Sequence, residues 1–247
     1  MELLHCNLLI RSWNVLRFKC FESAAKPQII RMEIGKNITS LLEKLPSTVE
    51  LVAVSKTKSN EEILEAYNAG QRKFGENKIQ DMTRKYEILP KDIQWHMIGH
   101  VQSNKVKYMA PYVSLIHGVD SLKLLKEINK QAQKNNRIID CLLQIHIAKE
   151  ESKFGLSVRE SQQAIKIAKE LPHLRIKGLM GMATFTDDQK QIEREFAGLK
   201  SLYDLYIHQK IPLEVLSMGM SGDFLIAIEQ GSNMIRVGSK IFGPRNY

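Results

Sequence analysis

Eight times between residue 49 and the C-terminus a short apolar run is followed by a helix-length amphipathic stretch, and this alternation is the tightest constraint on the fold. It predicts strands at residues 49–56, 73–77, 94–99, 115–119, 138–148, 175–183, 213–218 and 234–242, the fifth being the longest. The helices between them are bracketed by caps and stops. Ser59 or Asn60 opens one that Gly70 closes, Pro90 stops a second at residue 89, and residues 103–109 form a short third before Pro111. Asp120 or Ser121 caps a helix to about Lys134, Ser157 one ending near Pro172, and Thr186 or Asp187 a long one to about His208. Residues 223–230 complete the set before Gly231, and Ser221 is expected at that helix's start. One further helix leads, with Ile34, Ile38, Leu41, Leu42 and Leu45 at helical spacing and Pro46 as its stop. Strict alternation implies a parallel sheet, and eight units in 247 residues match a single closed (β/α)8 TIM barrel with a leading helix. An open doubly wound α/β sheet is the alternative. It would show a Gly-rich turn after the first strand, where this chain has Ser55-Lys56-Thr57-Lys58.

Composition narrows the function classes. No apolar run approaches the roughly 20 residues that span a membrane. The three cysteines, Cys6, Cys20 and Cys141, include no C-x-x-C pair, which argues against a disulfide framework or a zinc site and fits a reducing, cytoplasmic compartment. Of the net charge of +9, the first 31 residues carry +3. The densest basic cluster, Lys105-Val106-Lys107, has no aromatic ladder beside it, so nucleic acid is not expected. A phosphate-bearing small ligand explains a modest positive field equally well. Residues 1–31 mix apolar and basic types, Trp13 and Phe18 among them, without a period, and Glu2 stands where a secretory signal would be basic. They are expected to be a poorly ordered extension, or to precede a true start at Met32, with residues 32–247 forming the barrel.

In a barrel the chemistry sits at strand C-terminal ends and in the loops that follow. The first strand delivers Lys56. Two readings of it stand on the hexapeptide alone: a lysine leaving a strand into solvent, or a buried amine whose pKa falls, making it a nucleophile toward an aldehyde. The second strand delivers Gly75-Glu76-Asn77 and the third His96 to His100, then Gln102, Ser103 and Asn104. Ser217-Met218-Gly219-Met220-Ser221 and Arg236-Val237-Gly238-Ser239 end the seventh and eighth. Loops after these two strands are where barrels commonly bind phosphate, with Gly219 and Gly238 letting the backbone approach and Ser221 and Ser239 adding hydroxyls. Arg236 lies inside the apolar run 234–241, so it must pair with a carboxylate or serve a ligand. A reactive lysine, a phosphate cup and a buried arginine together fit pyridoxal 5′-phosphate (PLP), the arginine facing the pyridine nitrogen.

The segments Leu51 to Lys56, Phe74-Gly75-Glu76-Asn77, Trp95 to Gly99, Gln102-Ser103-Asn104-Lys105, Leu216 to Ser221 and Val237 to Gly243 look like the YggS / proline synthase co-transcribed family of PLP homeostasis proteins. The likeness runs from about Met32 to the C-terminus. It implies a barrel like the N-terminal domain of alanine racemase, with PLP as a Schiff base on Lys56 and Asn77 lining the cofactor. Ser217, Ser221, Gly238 and Ser239 would contact or surround the phosphate, and Arg236 would meet the pyridine nitrogen. Many relatives have Thr where this chain has Ser239, a larger residue in place of Gly222, and some have Pro in place of His100, which is assigned no role.

Two arguments separate a carrier from an enzyme. Alanine racemase needs a second base from a separate C-terminal domain, for which the residues after Gly243 leave no room. An arginine at the pyridine nitrogen also keeps that nitrogen unprotonated and weakens the electron sink. The expectation is a monomeric PLP carrier with no catalytic residues, with PLP-dependent apoenzymes as recipients and no nucleic-acid or membrane partner. A PLP-dependent racemase is the alternative. His96, His117 and His146 fall in predicted strands and are expected to be satisfied core histidines rather than a metal set. Met180, Met182, Met218 and Met220 are expected to pack the barrel mouth.

Overall fold

Eight parallel strands among the described residues pair in sequence order and close on themselves. They are β1 (Glu50–Val54), β2 (Lys73–Glu76), β3 (Gln94–Met97), β4 (Leu115–Val119), β5 (Ile139–Gln144), β6 (Leu174–Met180), β7 (Val215–Ser217) and β8 (Met234–Val237). Closure runs from Glu50 opposite Met234 to Ala53 opposite Val237. The structure is a computed structural model and describes residues 26–150 and 154–244. Helices fill every crossover: α1 (Lys26–Leu42) leads, then α2 (Asn60–Asn68), α3 (Ile79–Ile88), α4 (Val106–Met109) after a 3-10 turn (Ser103–Lys105), α5 (Leu122–Lys134), α6 (Val158–Ala168), α7 (Gln189–His208), α8 (Phe224–Glu229) and α9 (Ser239–Phe242). No helix among them is long and apolar enough to cross a membrane.

Local chemistry sets the helix starts. Ser59 and Ser157 form reciprocal capping boxes with Glu62 and Glu160, and Ser121 accepts the Leu124 N–H. Asp188, rather than Thr186 or Asp187, caps α7 by accepting the Gln191 N–H at 3.2 Å. α1 begins at Lys26, six residues ahead of Met32; the expectation for residues 1–25 falls outside the described residues.

Every strand but β4 ends earlier than predicted, β5 by four residues and β8 by five. β5 leaves the sheet after Gln144 because Leu156 folds back, its N–H reaching the Gln144 carbonyl at 2.8 Å and its carbonyl taking the His146 N–H at 3.0 Å. The longest strand is therefore β6, with 7 residues. β8 stops at Val237, and the apolar residues beyond it form α9, since the Gly238 carbonyl captures the N–H groups of Ile241 and Phe242, both at 2.9 Å.

Strand side chains alternate between two compartments. Ala53, Ile116, Leu143, Leu179, Leu216 and Ile235 join the large core beneath the helices. Val52, Leu115, Leu142, Met180 and Met234 form a separate apolar cluster in the lumen. Two residues further along each strand, the same period brings His117, Gln144, Ser217 and Arg236 into the lumen above that cluster, all buried. The barrel thus has an apolar floor and a polar tier beneath its mouth.

Candidate functional site

Arg236 dominates the polar tier. Its Nη1 donates to the Ser217 carbonyl at 2.9 Å and to Ser217 Oγ at 2.6 Å, and its Nη2 to the Gly181 carbonyl at 3.0 Å. No salt bridge links it to a carboxylate among the described residues, although it is 4% exposed. Of the two fates expected for this arginine, pairing with a carboxylate is therefore not the one adopted. Burial pushes its pKa down to about 10, with Asp223 opposing, so the guanidinium remains a cation at neutral pH.

A hydrogen-bonded chain runs across the lumen from that cation. Ser217 Oγ lies 3.2 Å from His117 Nδ1, and His117 Nε2 lies 3.0 Å from His96 Nδ1. Arginine only donates, so the assignment that uses the Ser217 proton runs from Ser217 to His117 and from His117 to His96. Both imidazoles are neutral. Burial lowers His96 to about 3, and burial, then His96 and Arg236, holds His117 well below its ordinary value. These two are satisfied core histidines, as expected. His146 is not: it lies beyond β5, exposed, with Nε2 3.0 Å from the Glu150 carbonyl.

Lys56 follows β1 in a turn, half-buried rather than buried. On one side of it Ser55 is fully buried; its N–H donates to the Gly75 carbonyl at 3.0 Å and its Oγ to Glu76 Oε1 at 2.6 Å. Lys85 Nζ, from α3, donates to the Ser55 carbonyl at 2.9 Å and to Glu76 Oε1 at 2.8 Å. Burial pushes the Glu76 carboxyl upward, with Lys85 and Ser55 opposing. On the other side Thr57 has φ 67°, a left-handed conformation that costs a β-branched residue roughly 1–3 kcal/mol.

The loops after β7 and β8 lie against one another, tied by the Gly238 N–H donating to Ser221 Oγ at 3.2 Å. Gly219 has φ 95°, and a Cβ there would stand 2.6 Å from Ala227 Cβ and 2.9 Å from Phe224 Cα. A Cβ on Gly238 would meet the Val54 carbonyl oxygen at 3.2 Å, beside the end of β1. Ser239 is exposed at the first position of α9, and Ser221 precedes α8 by three residues instead of beginning it. Ser217 points into the lumen toward Arg236. Asn77 is exposed after β2, beside a cavity of about 300 Å³ that Lys78, Gln80, His100, Gln102 and Lys105 also line. His100 Nδ1 sits 2.7 Å from Asp120 Oδ2. Of the four methionines, Met180 and Met182 face the lumen, Met218 joins the core under the helices, and Met220 is partly exposed.

The sequence singles out Lys56, Ser217 and Arg236, but not His117 as the partner of Ser217 nor the Ser55–Glu76–Lys85 cluster beside Lys56. Lys85 did carry a signal, since it occupies a core position in the α3 stripe of Ile79, Met82 and Leu89.

A family model described as the alanine racemase N-terminal domain matches residues 30–246. A protein of Aquifex aeolicus named pyridoxal phosphate homeostasis protein is 39% identical over 228 residues, covering 87% of this chain and 100% of its own. The structure of PipY from Synechococcus elongatus, described with PLP bound, superposes with a TM-score of 0.79 at 33% identity, over 85% of this chain and 100% of that one. Alanine racemase of Clostridium difficile shares the fold, with a TM-score of 0.74 at 11% identity over 87% of this chain and 58% of its own.

Proposed function

This chain belongs to the family of pyridoxal phosphate homeostasis proteins, built on the alanine racemase N-terminal domain, and on that premise we propose that it binds PLP, tethered on Lys56, and serves PLP homeostasis as a carrier. The residues present fit the cofactor. The observation that carries the reading is Arg236: a cation 4% exposed, bonded to oxygens of Ser217 and Gly181 and to no carboxylate among the described residues. It sits opposite Val52, four residues before Lys56 on the neighbouring strand. A cationic donor there suits an aromatic ring nitrogen.

Bound PLP would supply an aldehyde, and Lys56 would hold it through its Nζ. The protein's part is to hold and orient. Gly219 and Gly238 permit the close backbone approach of the two loops, Ser221 and Ser239 offer hydroxyls for the phosphate, and Asn77 lines the open side. Ser217 holds Arg236 toward the ring. Arg236 keeps its own proton at neutral pH and would donate it in a hydrogen bond to the ring nitrogen, which would then stay unprotonated and draw carbanion electrons weakly. That favours carriage over turnover. The match to the whole length of a protein named for homeostasis, at 39% identity, favours it too. PLP-dependent apoenzymes are the recipients in this reading. The chain acts as a monomer in the cytoplasm, where the buried Cys141 thiol, its pKa raised by burial, stays reduced.

Borohydride reduction of the PLP-loaded protein, followed by peptide mass analysis, tests the tether: the added mass should fall on the Lys56 peptide and disappear in Lys56→Ala. Deuterium exchange at Cα of L-alanine tests the racemase alternative, and turnover of many equivalents per protein would overturn the carrier reading.

A further inference from the structure

We propose that Lys85 is a positioning residue for the tether: with Glu76 it clamps Ser55 and so holds the Lys56 amine toward the barrel mouth. The inference rests on the reading of Lys56 as the PLP-bearing lysine.

Lys85 projects from the inner face of α3, where Ile79, Met82 and Leu89 are apolar and buried. Its 3% exposure and the 0% of Glu76 make the pair a buried ion pair. Such a pair is costly to desolvate, and apolar residues of similar volume often replace it without loss of stability. Nor is it a fully satisfied network, because among the described residues Glu76 Oε2 is buried with no hydrogen-bond partner.

What the pair does accomplish converges on one residue. Lys85 Nζ donates to the Ser55 carbonyl at 2.9 Å and to Glu76 Oε1 at 2.8 Å, while Ser55 Oγ donates to the same Oε1 at 2.6 Å. The Ser55 N–H is taken by Gly75, and its carbonyl accepts the Lys58 N–H at 3.0 Å as well. Every polar atom of Ser55 is therefore committed. Lys56 follows directly, and then Thr57 in a left-handed conformation. A strained residue persists only where its surroundings over-determine it. Here the constraint upstream is the clamp, and downstream Lys58 is anchored by Nζ donating to the Phe242 carbonyl at 2.9 Å and pairing with Glu62 at 3.2 Å. The clamp fixes where the Lys56 side chain leaves the backbone, and so the region that its amine can reach. Glu76 also precedes Asn77, so the same carboxylate joins two walls of the proposed site.

The test is a double-mutant cycle on the full chain with PLP as the probe. In Lys85→Met the rate of forming the borohydride-trappable linkage on Lys56 should fall roughly tenfold or more, the scale set by a small misplacement of a reacting group. In a Lys56→Ala background the same change should leave the affinity for PLP within about twofold, because the clamp acts through Lys56. Lys85→Arg should recover part of the rate. Ser55→Ala, which removes one bond of the clamp, should slow linkage several-fold even if Lys85→Met fails to fold. Unchanged linkage rates in Lys85→Met, or in Ser55→Ala where Lys85→Met does not fold, overturn the clamp. So does an equal loss of PLP affinity with and without Lys56. A wild-type chain that takes up no PLP overturns the parent reading instead.

Discussion

Arg236 Nη1 stands 2.6 Å from Ser217 Oγ, so one guanidinium joins the C-terminal ends of β7 and β8 inside the barrel. The two strands share little ladder otherwise, with Ser217 opposite Met234 as their register pair. Side chains do the rest: Ser232 Oγ donates to the Met218 carbonyl at 2.8 Å, its shortest of three carbonyl contacts, and Asn233 Oδ1 takes the Leu216 N–H at 2.7 Å.

Replacing Arg236 with Met should therefore cost stability as well as cofactor. The carbonyls of Ser217 and Gly181 would lose a buried donor, while relief of the guanidinium's desolvation offsets part of the loss, leaving a net destabilisation of about 2 kcal/mol. Urea denaturation of the apo-protein measures it. Arg236→Lys should restore only part, since an ammonium cannot reproduce the planar fork that reaches both Ser217 and Gly181.

The neutral histidines predict acid sensitivity. In the unfolded chain His96 and His117 regain pKa values near 6.5, whereas in the folded one His96 falls to about 3 and His117 lies well below 6.5. Below pH 6.5 the unfolded chain binds protons that the folded chain refuses. Their contribution is complete above about pH 6.5 and drains as pH falls toward 3, at about 1.4 kcal/mol per pH unit for each histidine. Urea midpoints at pH 7.5 and 4.5 should differ less in a His96→Gln, His117→Gln double variant than in the wild type. An equal pH slope in both would contradict the buried neutral pair.

Gly219→Ala should destabilise by about 2–4 kcal/mol. The residue is at φ 95°, and its new methyl would stand 2.6 Å from Ala227 Cβ and 2.9 Å from Phe224 Cα. The α8 backbone would have to retreat, opening the loop that carries Ser221. Thermal unfolding and PLP affinity should fall together.

The barrel is readable because a parallel barrel repeats its logic: strands are largely apolar on both faces, and helices such as α2, α5 and α6 begin at a capping serine. Lys56 and Arg236 stood out as charges beside apolar runs. What escaped depended on distance in sequence. Ser217 and His117 are 100 residues apart, and no local pattern pairs them before the sheet closes. The end of β8 was misread because Val237 to Phe242 suits a strand by composition, and only the Gly238 carbonyl's capture of two N–H groups makes the second half a helix. Lys85 is not legible as a partner because Glu76, which it meets at 2.8 Å, lies on β2 and comes beside it only when α3 packs on the sheet.

The phosphate cup is tested by comparing two ligands. Ser221 Oγ accepts the Gly238 N–H at 3.2 Å, and this bond links the loops after β7 and β8. Ser221→Ala removes both that link and a hydroxyl offered to the phosphate. A hydrogen bond to a charged acceptor contributes about 1.5–3 kcal/mol, so PLP affinity should fall by about tenfold or more. Pyridoxal, which has the same ring and aldehyde but no phosphate, should bind Ser221→Ala and wild type alike, because Arg236 and Lys56 are untouched. Isothermal titration of both ligands against both proteins measures the ratio. If pyridoxal affinity falls as much as PLP affinity, Ser221 supports the ring pocket and the phosphate belongs elsewhere.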